Sequence, residues 1–521
     1  MLNAAWEFVL HPADDARTAA DYLGQVADQR FSIAAAGPSR TMRRTWLDTF
    51  DWRLYRAGLN LEHASGRGIS ELVLTARDGE IVASAAPTPA PRWPALLDQL
   101  PVGPLREHLG GIIGVRALLP VVRATSVRTQ RRALNADAKT IAMLSVDQTT
   151  ITQPRRAATR GRITVSALRG YQTQASKLAD ALAKAPGVAP AERSAFETAV
   201  RAAGLGPGDY TSKVDVRLTA QMPAGLAVAM VLTRLFDTAE ANVPATTRDV
   251  DTEFLHDLRI AVRRTRSVLK LAGSVLPAGM SARYRPEFKW LGDLTTPTRD
   301  LDVYLLGYPD MARKLVSATE LDLSPFHDHL MRQRDASQRQ LARGLRSARY
   351  RRLASRWRHD LEQVSASPGR RPSAGKFAAS RIARAHQRVL DGGRAIDAAS
   401  PPQALHDLRK SCKELRYVLE VFASLHDPAE QWRAVNELKA LQDCLGEFQD
   451  TEVQRAELRA FATQMMADRS APAETLLAMG EIAAALAVRQ RSARSEFAGR
   501  FSEFASARGQ AKITALTWTA A

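Results

Sequence analysis

The feature that most constrains this chain is a segment it carries twice. Leu255-His256-Asp257-Leu258-Arg259-Ile260-Ala261-Val262-Arg263-Arg264-Thr265-Arg266 returns as Leu405-His406-Asp407-Leu408-Arg409-Lys410-Ser411-Cys412-Lys413-Glu414-Leu415-Arg416. The offset is 406 − 256 = 150 residues, and the agreement reaches beyond the histidines. Arg234 maps onto Arg384, Phe288-Lys289-Trp290-Leu291-Gly292-Asp293 onto Leu438-Lys439-Ala440-Leu441-Gln442-Asp443, and Thr298-Arg299-Asp300 onto Phe448-Gln449-Asp450. Two copies are too few for a solenoid, whose repeats bury their faces only by stacking in series. The duplication predicts two similar halves packed about a pseudo-twofold axis. From about Gly225 to Phe504 apolar residues recur at spacings of three and four, which predicts helices almost throughout. Pro and Gly clusters at Val275–Met280, Thr295–Thr298, Tyr308-Pro309, Ser365–Ser373, Ser400–Pro402 and Ser470–Pro472 are expected to separate them.

From each histidine, basic residues follow at +3, +7 and +10: Arg259, Arg263 and Arg266, then Arg409, Lys413 and Arg416. At about 100° per residue these positions span an arc of about 80°, so one helix face carries a row of cations about 15 Å long. Like charges at i, i+3 and i+4 repel, so stability alone does not favour such a row. It points to a polyanion lying along the helix. The whole chain agrees: Lys+Arg 73 against Asp+Glu 55 gives a net charge of +18, which favours nucleic acid, lipid headgroups or phosphate polymers as partners.

The candidate anion site in the first repeat is His256, Arg259, Arg263 and Arg266, supported by Lys289. In the second it is His406, Arg409, Lys410, Lys413 and Arg416, supported by Lys439, with Arg234, Arg384 and Arg388 expected to complete a groove. Arg suits phosphate through its planar fork, Lys as a mobile point charge. Each residue also has a structural explanation. A histidine near a helix start often caps or packs; Asp257 and Asp407 would favour the helix N-termini; Asp300 and Asp450 are expected as N-caps rather than metal ligands. Arg264, matched by Glu414, is expected to be peripheral, and the basic block Arg343–His359, without a counterpart at the 150 offset, reads as a solvated face. The two cysteines, Cys412 and Cys444, form no CxxC pair, so neither a disulfide framework nor a zinc site is expected. No signal peptide is read at the N-terminus, and the longest apolar runs, such as Gly225–Leu232, are too short to cross a bilayer, so a cytoplasmic protein without a membrane partner is expected.

The first 170 residues have a different rhythm. Short β-favouring runs alternate with turns: Trp6–Leu10, Gly58–His63, Glu71–Thr75, Ile81–Ser84, Gly111–Leu119, Ala124–Leu134, Thr140–Val146 and Arg162–Leu168. Asp78-Gly79 marks a hairpin, Ala16–Val26 an early helix, and Pro87–Pro104 a connection leading to a short helix. The expected architecture is multidomain α+β: an antiparallel barrel, tunnel-like, over 1–200; a linker over 201–222; and an all-α domain over 223–505 made of two duplicated bundles, about 223–365 and 373–505.

Two resemblances sharpen this reading. Thr45-Trp46-Leu47-Asp48-Thr49-Phe50-Asp51-Trp52-Arg53-Leu54-Tyr55-Arg56-Ala57-Gly58-Leu59 resembles the CYTH family of triphosphate tunnel metalloenzymes. That family opens with Glu-x-Glu-x-Lys, where carboxylates hold metal and lysine holds phosphate; this chain has Trp6-Glu7-Phe8-Val9-Leu10. Metal-assisted phosphoryl chemistry needs several converging oxygen ligands, so a barrel without catalysis is expected, with Mg²⁺ or Mn²⁺ as cofactor only if the domain is active. The two His-x-x-Arg helices, each followed by a Lys helix and an Arg/Gln-Asp step, resemble a CHAD domain, the conserved histidine α-helical domain, over about 220–505. That resemblance implies a basic central surface that binds inorganic polyphosphate, and a location at polyphosphate granules. The alternatives are a metal-dependent inorganic triphosphatase in the barrel, and nucleic-acid binding. Against the latter, no aromatic stacking residues interleave with the cations. The sequence leaves the oligomeric state open.

Overall fold

The computed structural model describes residues 3–10, 31–367, 369 and 372–517. It divides into two compact units, Met1–Thr211 and Ser212–Ala521. The helix expected over Ala16–Val26 lies outside the described residues.

Among the described residues of the first unit, eleven strands form one sheet: β1 (Asn3–Leu10), β2 (Ser32–Ala35), β3 (Arg40–Asp48), β4 (Leu59–Gly66), β5 (Ile69–Ala76), β6 (Ile81–Ala85), β7 (Leu119–Leu134), β8 (Thr140–Gln153), β9 (Ala157–Ala158), β10 (Arg162–Ala167) and β11 (Val188–Pro190). Their order is β11-β1-β10-β8-β7-β3-β4-β5-β6, with β2 beside β7 and β9 beside β8, and every pairing is antiparallel. The antiparallel tunnel-like sheet is therefore as expected. Its path ends at β11 and β6, which do not pair with each other among the described residues, so the sheet stays open.

Among the described residues four α-helices accompany it: α1 (Arg53–Arg56), α2 (Pro104–Ile113), α3 (Gln172–Ala183) and α4 (Ala195–Ala202). Gly111–Leu119, expected as a strand, instead holds the end of α2. Pro104 sits in its first turn, and Leu105, Leu109 and Ile113 bury one stripe at helical spacing against β3 to β6. Arg40–Asp48, which is not among the strands expected from alternation, forms β3, and Met42, Arg44 and Trp46 alternate inward along it. At its end the buried Asp48 carboxylate accepts hydrogen bonds from the backbone N–H groups of Thr49, Leu54 and Tyr55 and so builds α1. Gly58, at φ +76°, then turns the chain into β4, a conformation that disfavours a side chain.

The second unit is helical. Its first half is α5 (Ala224–Arg248), α6 (Thr252–Leu271), α7 (Met280–Ala312), α8 (Glu320–Leu345) and α9 (Ala348–Ala366). Its second half repeats the series as α10 (Ala374–Arg394), α11 (Pro402–Val421), α12 (Pro428–Ala467), α13 (Ala473–Phe504) and α14 (Ala507–Thr514). The breaks expected at Thr295–Thr298 and Tyr308-Pro309 do not occur: α7 runs through Pro286, Pro297 and Pro309. Near Pro297 the Thr295 and Thr296 hydroxyls bond the Gly292 carbonyl, and buried Leu291, Leu301, Tyr304 and Tyr308 hold the helix by packing.

Residues 150 apart meet one another, which locates the pseudo-twofold axis. Pro223 and Ser373 form an antiparallel bridge, with Ala374 N–H bonded to Met222 and Ala224 N–H to Pro372. Farther along, the Tyr304 hydroxyl donates to the Gln454 carbonyl at 2.9 Å. One apolar core spans both halves, from Val228, Phe236 and Phe288 to Leu415, Phe422 and Phe504. A second lies where α7 and α8 meet α12 and α13, around Phe326, Leu330 and Met465. Each large apolar side chain fully buried there contributes about 1.5–3 kcal/mol.

Candidate functional site

The histidine helices α6 and α11 run beside each other across the axis. Their equivalent residues Arg263 and Lys413 (413 − 263 = 150) open onto one cleft of about 920 Å³. Arg266 and Lys270 of α6, Arg285 and Lys289 of α7, Arg388 of α10 and Lys410 of α11 complete its cationic lining. Eight cations thus face two carboxylates, Asp407 and Glu414, which leaves the cleft strongly positive.

Four of these eight cations are partly neutralised by carboxylates, and four are not. Lys289 pairs with Asp293 at 2.6 Å and Lys410 with Asp407 at 3.0 Å. Glu414 takes both Lys270 at 3.3 Å and Arg388 at 2.8 Å. Arg263, Arg266, Lys413 and Arg285 have no carboxylate at ion-pair distance among the described residues. The Arg263 guanidinium lies 5.9 Å from the Tyr417 ring centroid. Arg266 lies against Gly292, where a Cβ would stand 3.0 Å from its Nη1. The second repeat has Gln442 at that position, and its amide oxygen accepts from Arg416 at 3.3 Å. Burial, with Arg409 and Arg263 beside it, pushes the Lys413 ammonium down to about 8.

The histidines flank this cleft without lining it. His256 is held below the ordinary imidazole range by burial and by the Arg299 charge. In the second repeat Gln449 replaces Arg299, and its Oε1 lies 2.5 Å from His406 Nδ1. Arg259 and Arg409 make the same ion pair in the two halves, with Asp300 at 3.7 Å and Asp450 at 2.8 Å. These aspartates lie inside α7 and α12, so the N-cap expectation for them fails. Asp257 and Asp407 are likewise past the first turn, and Asp251 caps α6 by accepting from the N–H groups of Glu253 and Phe254. Arg264 is not peripheral: it shares Glu420 with Arg416, at 2.8 and 2.7 Å, and ties α6 to α11.

Of the remaining candidates, Arg384 lines a neighbouring lobe with Arg388. Lys439 is exposed on α12 and Arg234 half-buried on α5, and neither lines the cleft. Lys270, Arg285 and Tyr417 were not singled out from the sequence. Lys270 stands at +14 from His256, about 40° from it around the helix, and Arg285 is one turn before Lys289, so the same spacing rule reaches both. In the basic block of α9, Arg358 pairs with Asp237 and Glu240, while Arg349 pairs with Glu287 and stacks on Trp290.

The first unit has a hollow of its own, whose carboxylates bear on metal binding. It has a volume of about 520 Å³ and is lined by Glu7, Arg44, Glu62 and Arg128. Glu62 forms a two-pronged pair with Arg44 at 2.6 Å, Asp147 a two-pronged pair with Arg128 at 2.7 Å, and Glu7 pairs with Arg162. Burial lowers the Arg44 pKa, but Glu62 and Asp147 outweigh it and hold the group above its usual value. No three His, Cys, Asp or Glu side chains converge among the described residues. Carboxylates so committed to guanidinium do not suit a divalent cation.

The family model of the CHAD domain matches residues 230–459. The helical unit carries a CHAD domain. The match spans both histidine helices, and all eight cationic residues of the cleft fall inside it. Among solved structures, the chain is similar to the CHAD domain of the plant Ricinus communis, 24% identical, covering 55% of this chain and 95% of that one, with a TM-score of 0.48. It is similar to PptA from Streptomyces chartreusis at 17% identity, covering 54% of this chain and 99% of that one, with a TM-score of 0.43. It is also similar to an adenylyl cyclase-like protein of Hippeastrum described as having a dominant triphosphatase activity, at 12% identity, covering 40% of this chain and 99% of that one, with a TM-score of 0.27. No curated protein matches the chain. Among the described residues, no helix is long and apolar enough to cross a membrane.

Proposed function

We propose that the CHAD domain binds linear inorganic polyphosphate in the cleft between α6 and α11. The observation that carries this reading is the meeting of Arg263, Arg266 and Lys413, from both repeats, with no carboxylate at ion-pair distance from them among the described residues. Their mutual repulsion costs free energy in the empty protein, and a chain of phosphoryl groups offsets it along its whole length. Guanidinium forks at Arg263, Arg266 and Arg285 suit the oxygens that such a chain exposes on every side. Nucleic acid would bring the same charge, but Tyr417, the aromatic residue of the cleft, already lies near Arg263, and bases gain little there by stacking. Binding of the polymer would place the protein at polyphosphate granules.

The test is a binding titration with long-chain polyphosphate across a salt series, with DNA and RNA as competitors at equal phosphate concentration. The expected result is tight, steeply salt-dependent binding that the nucleic acids displace poorly. Arg263→Ala with Lys413→Ala should weaken it by about tenfold or more. Unchanged affinity in that double variant overturns the assignment of the cleft.

A further inference from the structure

The cleft does not end at Arg388. Beyond it lies a second basic lobe of about 450 Å³, lined by Arg381, Arg384 and Arg388 on α10 together with Lys270. Arg381 bonds the Ser274 hydroxyl at 2.9 Å and stacks on Phe377, which fixes its guanidinium at the lobe. Arg384 has no counter-charge among the described residues. Both hollows share three lining residues, Lys270, Arg388 and Glu414. These are also one ion-paired group: the Glu414 carboxylate holds Lys270 with one oxygen at 3.3 Å and Arg388 with the other at 2.8 Å. Its side chain is 19% exposed, so the carboxylate stands at the junction and not out in solvent. The first repeat has Arg264 at the matching position, so this negative charge stands on one side of the axis only.

We propose that the α10 lobe is a second phosphate-chain subsite, and that Glu414 is the latch between it and the main cleft. The proposal rests on the polyphosphate reading above and adds chain length as the selected property. A short chain fills the main cleft, meets Arg263, Arg266 and Lys413, and leaves Glu414 paired. A long chain crosses the junction, its phosphates replacing Glu414 on Lys270 and Arg388, and continues onto Arg384 and Arg381. Displacing the carboxylate opposes this crossing, so only a chain long enough to gain the α10 contacts makes it. Glu414 is thus a specificity-determining residue and the α10 arginines are ligands for long chains.

The experiment compares tripolyphosphate with size-fractionated long-chain polyphosphate, each titrated over a salt series against the full chain. Wild type should bind both, with the larger salt slope for the long chain, since each further neutralised phosphate adds about 0.7 to the slope. Arg381→Ala with Arg384→Ala should weaken long-chain binding about tenfold and reduce its slope, while tripolyphosphate binding stays unchanged. Glu414→Gln should tighten long-chain binding several-fold and leave tripolyphosphate less affected. If the α10 double variant changes neither ligand, or both equally, the subsite is refuted. Weaker long-chain binding by Glu414→Gln refutes the latch and makes Glu414 an organiser of the two cations. Absence of binding of either ligand to wild type overturns the parent reading and this one together. Wild-type binding that fails only in these length comparisons leaves the parent reading standing.

Discussion

Lys413 is where the electrostatic cost of the cleft is concentrated. Its pKa is pushed down to about 8 by burial and by Arg409 and Arg263, so part of its charge is lost just above neutral pH. A phosphate chain alongside it raises that value again, and binding therefore takes up protons. Affinity should be full below about pH 8 and fall as the pH rises from there toward the raised pKa of the bound state. Lys413→Met should bind more weakly and lack this decline, as measured by titration calorimetry in buffers of different ionisation enthalpy. Without ligand the sign for stability is the reverse. A base whose folded pKa lies below its unfolded value destabilises the fold while it is protonated, and the cost fades between about 8 and 10.5. Lys413→Met should therefore raise the melting temperature at neutral pH and lose that gain in alkali. Sequence spacing puts Lys413 on the helix face that opens onto the cleft. It is silent on the carboxylates that reach across, because Glu414 finds Lys270 and Glu420 finds Arg264 on a helix about 150 residues away.

At the scale of elements, α6 and α11 are held together by a shared carboxylate. Glu420 accepts from Arg416 of its own helix and from Arg264 of the other, with 21% of its side chain exposed. Glu420→Gln should lower stability by about 1–2 kcal/mol in urea unfolding, since two half-buried charge-assisted bonds are weakened together. It should also loosen the spacing of the two cation rows. The helices themselves were legible from their periodicity, and the antiparallel strands from alternation and turns. The reading failed where a local signal met a stronger tertiary one. Pro297 and Pro309 read as helix ends, yet packing of Leu301, Tyr304 and Tyr308 carries α7 past them. Gly111–Leu119 read as a strand because its apolar residues are dense, and the helical stripe of Leu105, Leu109 and Ile113 overrode that density. Arg40–Asp48 lacks a clear alternation in its sequence, because the inward-facing Arg44 reads as a surface charge until its partner Glu62, 18 residues away, is in place.

Over the whole molecule, the two units use charge in opposite ways. The sheet unit pairs Arg44, Arg128 and Arg162 with its own carboxylates, whereas in the helical unit Arg263, Arg266 and Lys413 have none at ion-pair distance among the described residues. Glu62→Ala should therefore destabilise the sheet by about 2–4 kcal/mol, because Arg44 loses its two-pronged partner in a buried setting, while polyphosphate affinity stays within about twofold of wild type. Differential scanning calorimetry and the binding titration read the two effects separately. The two halves of the helical unit meet in the clasp between Met222–Ala224 and Pro372–Ala374. It staples the opening of one half to the opening of the other, and the oily interior is common property. A cavity opened in either half should therefore loosen both, and the two halves should melt in a single transition.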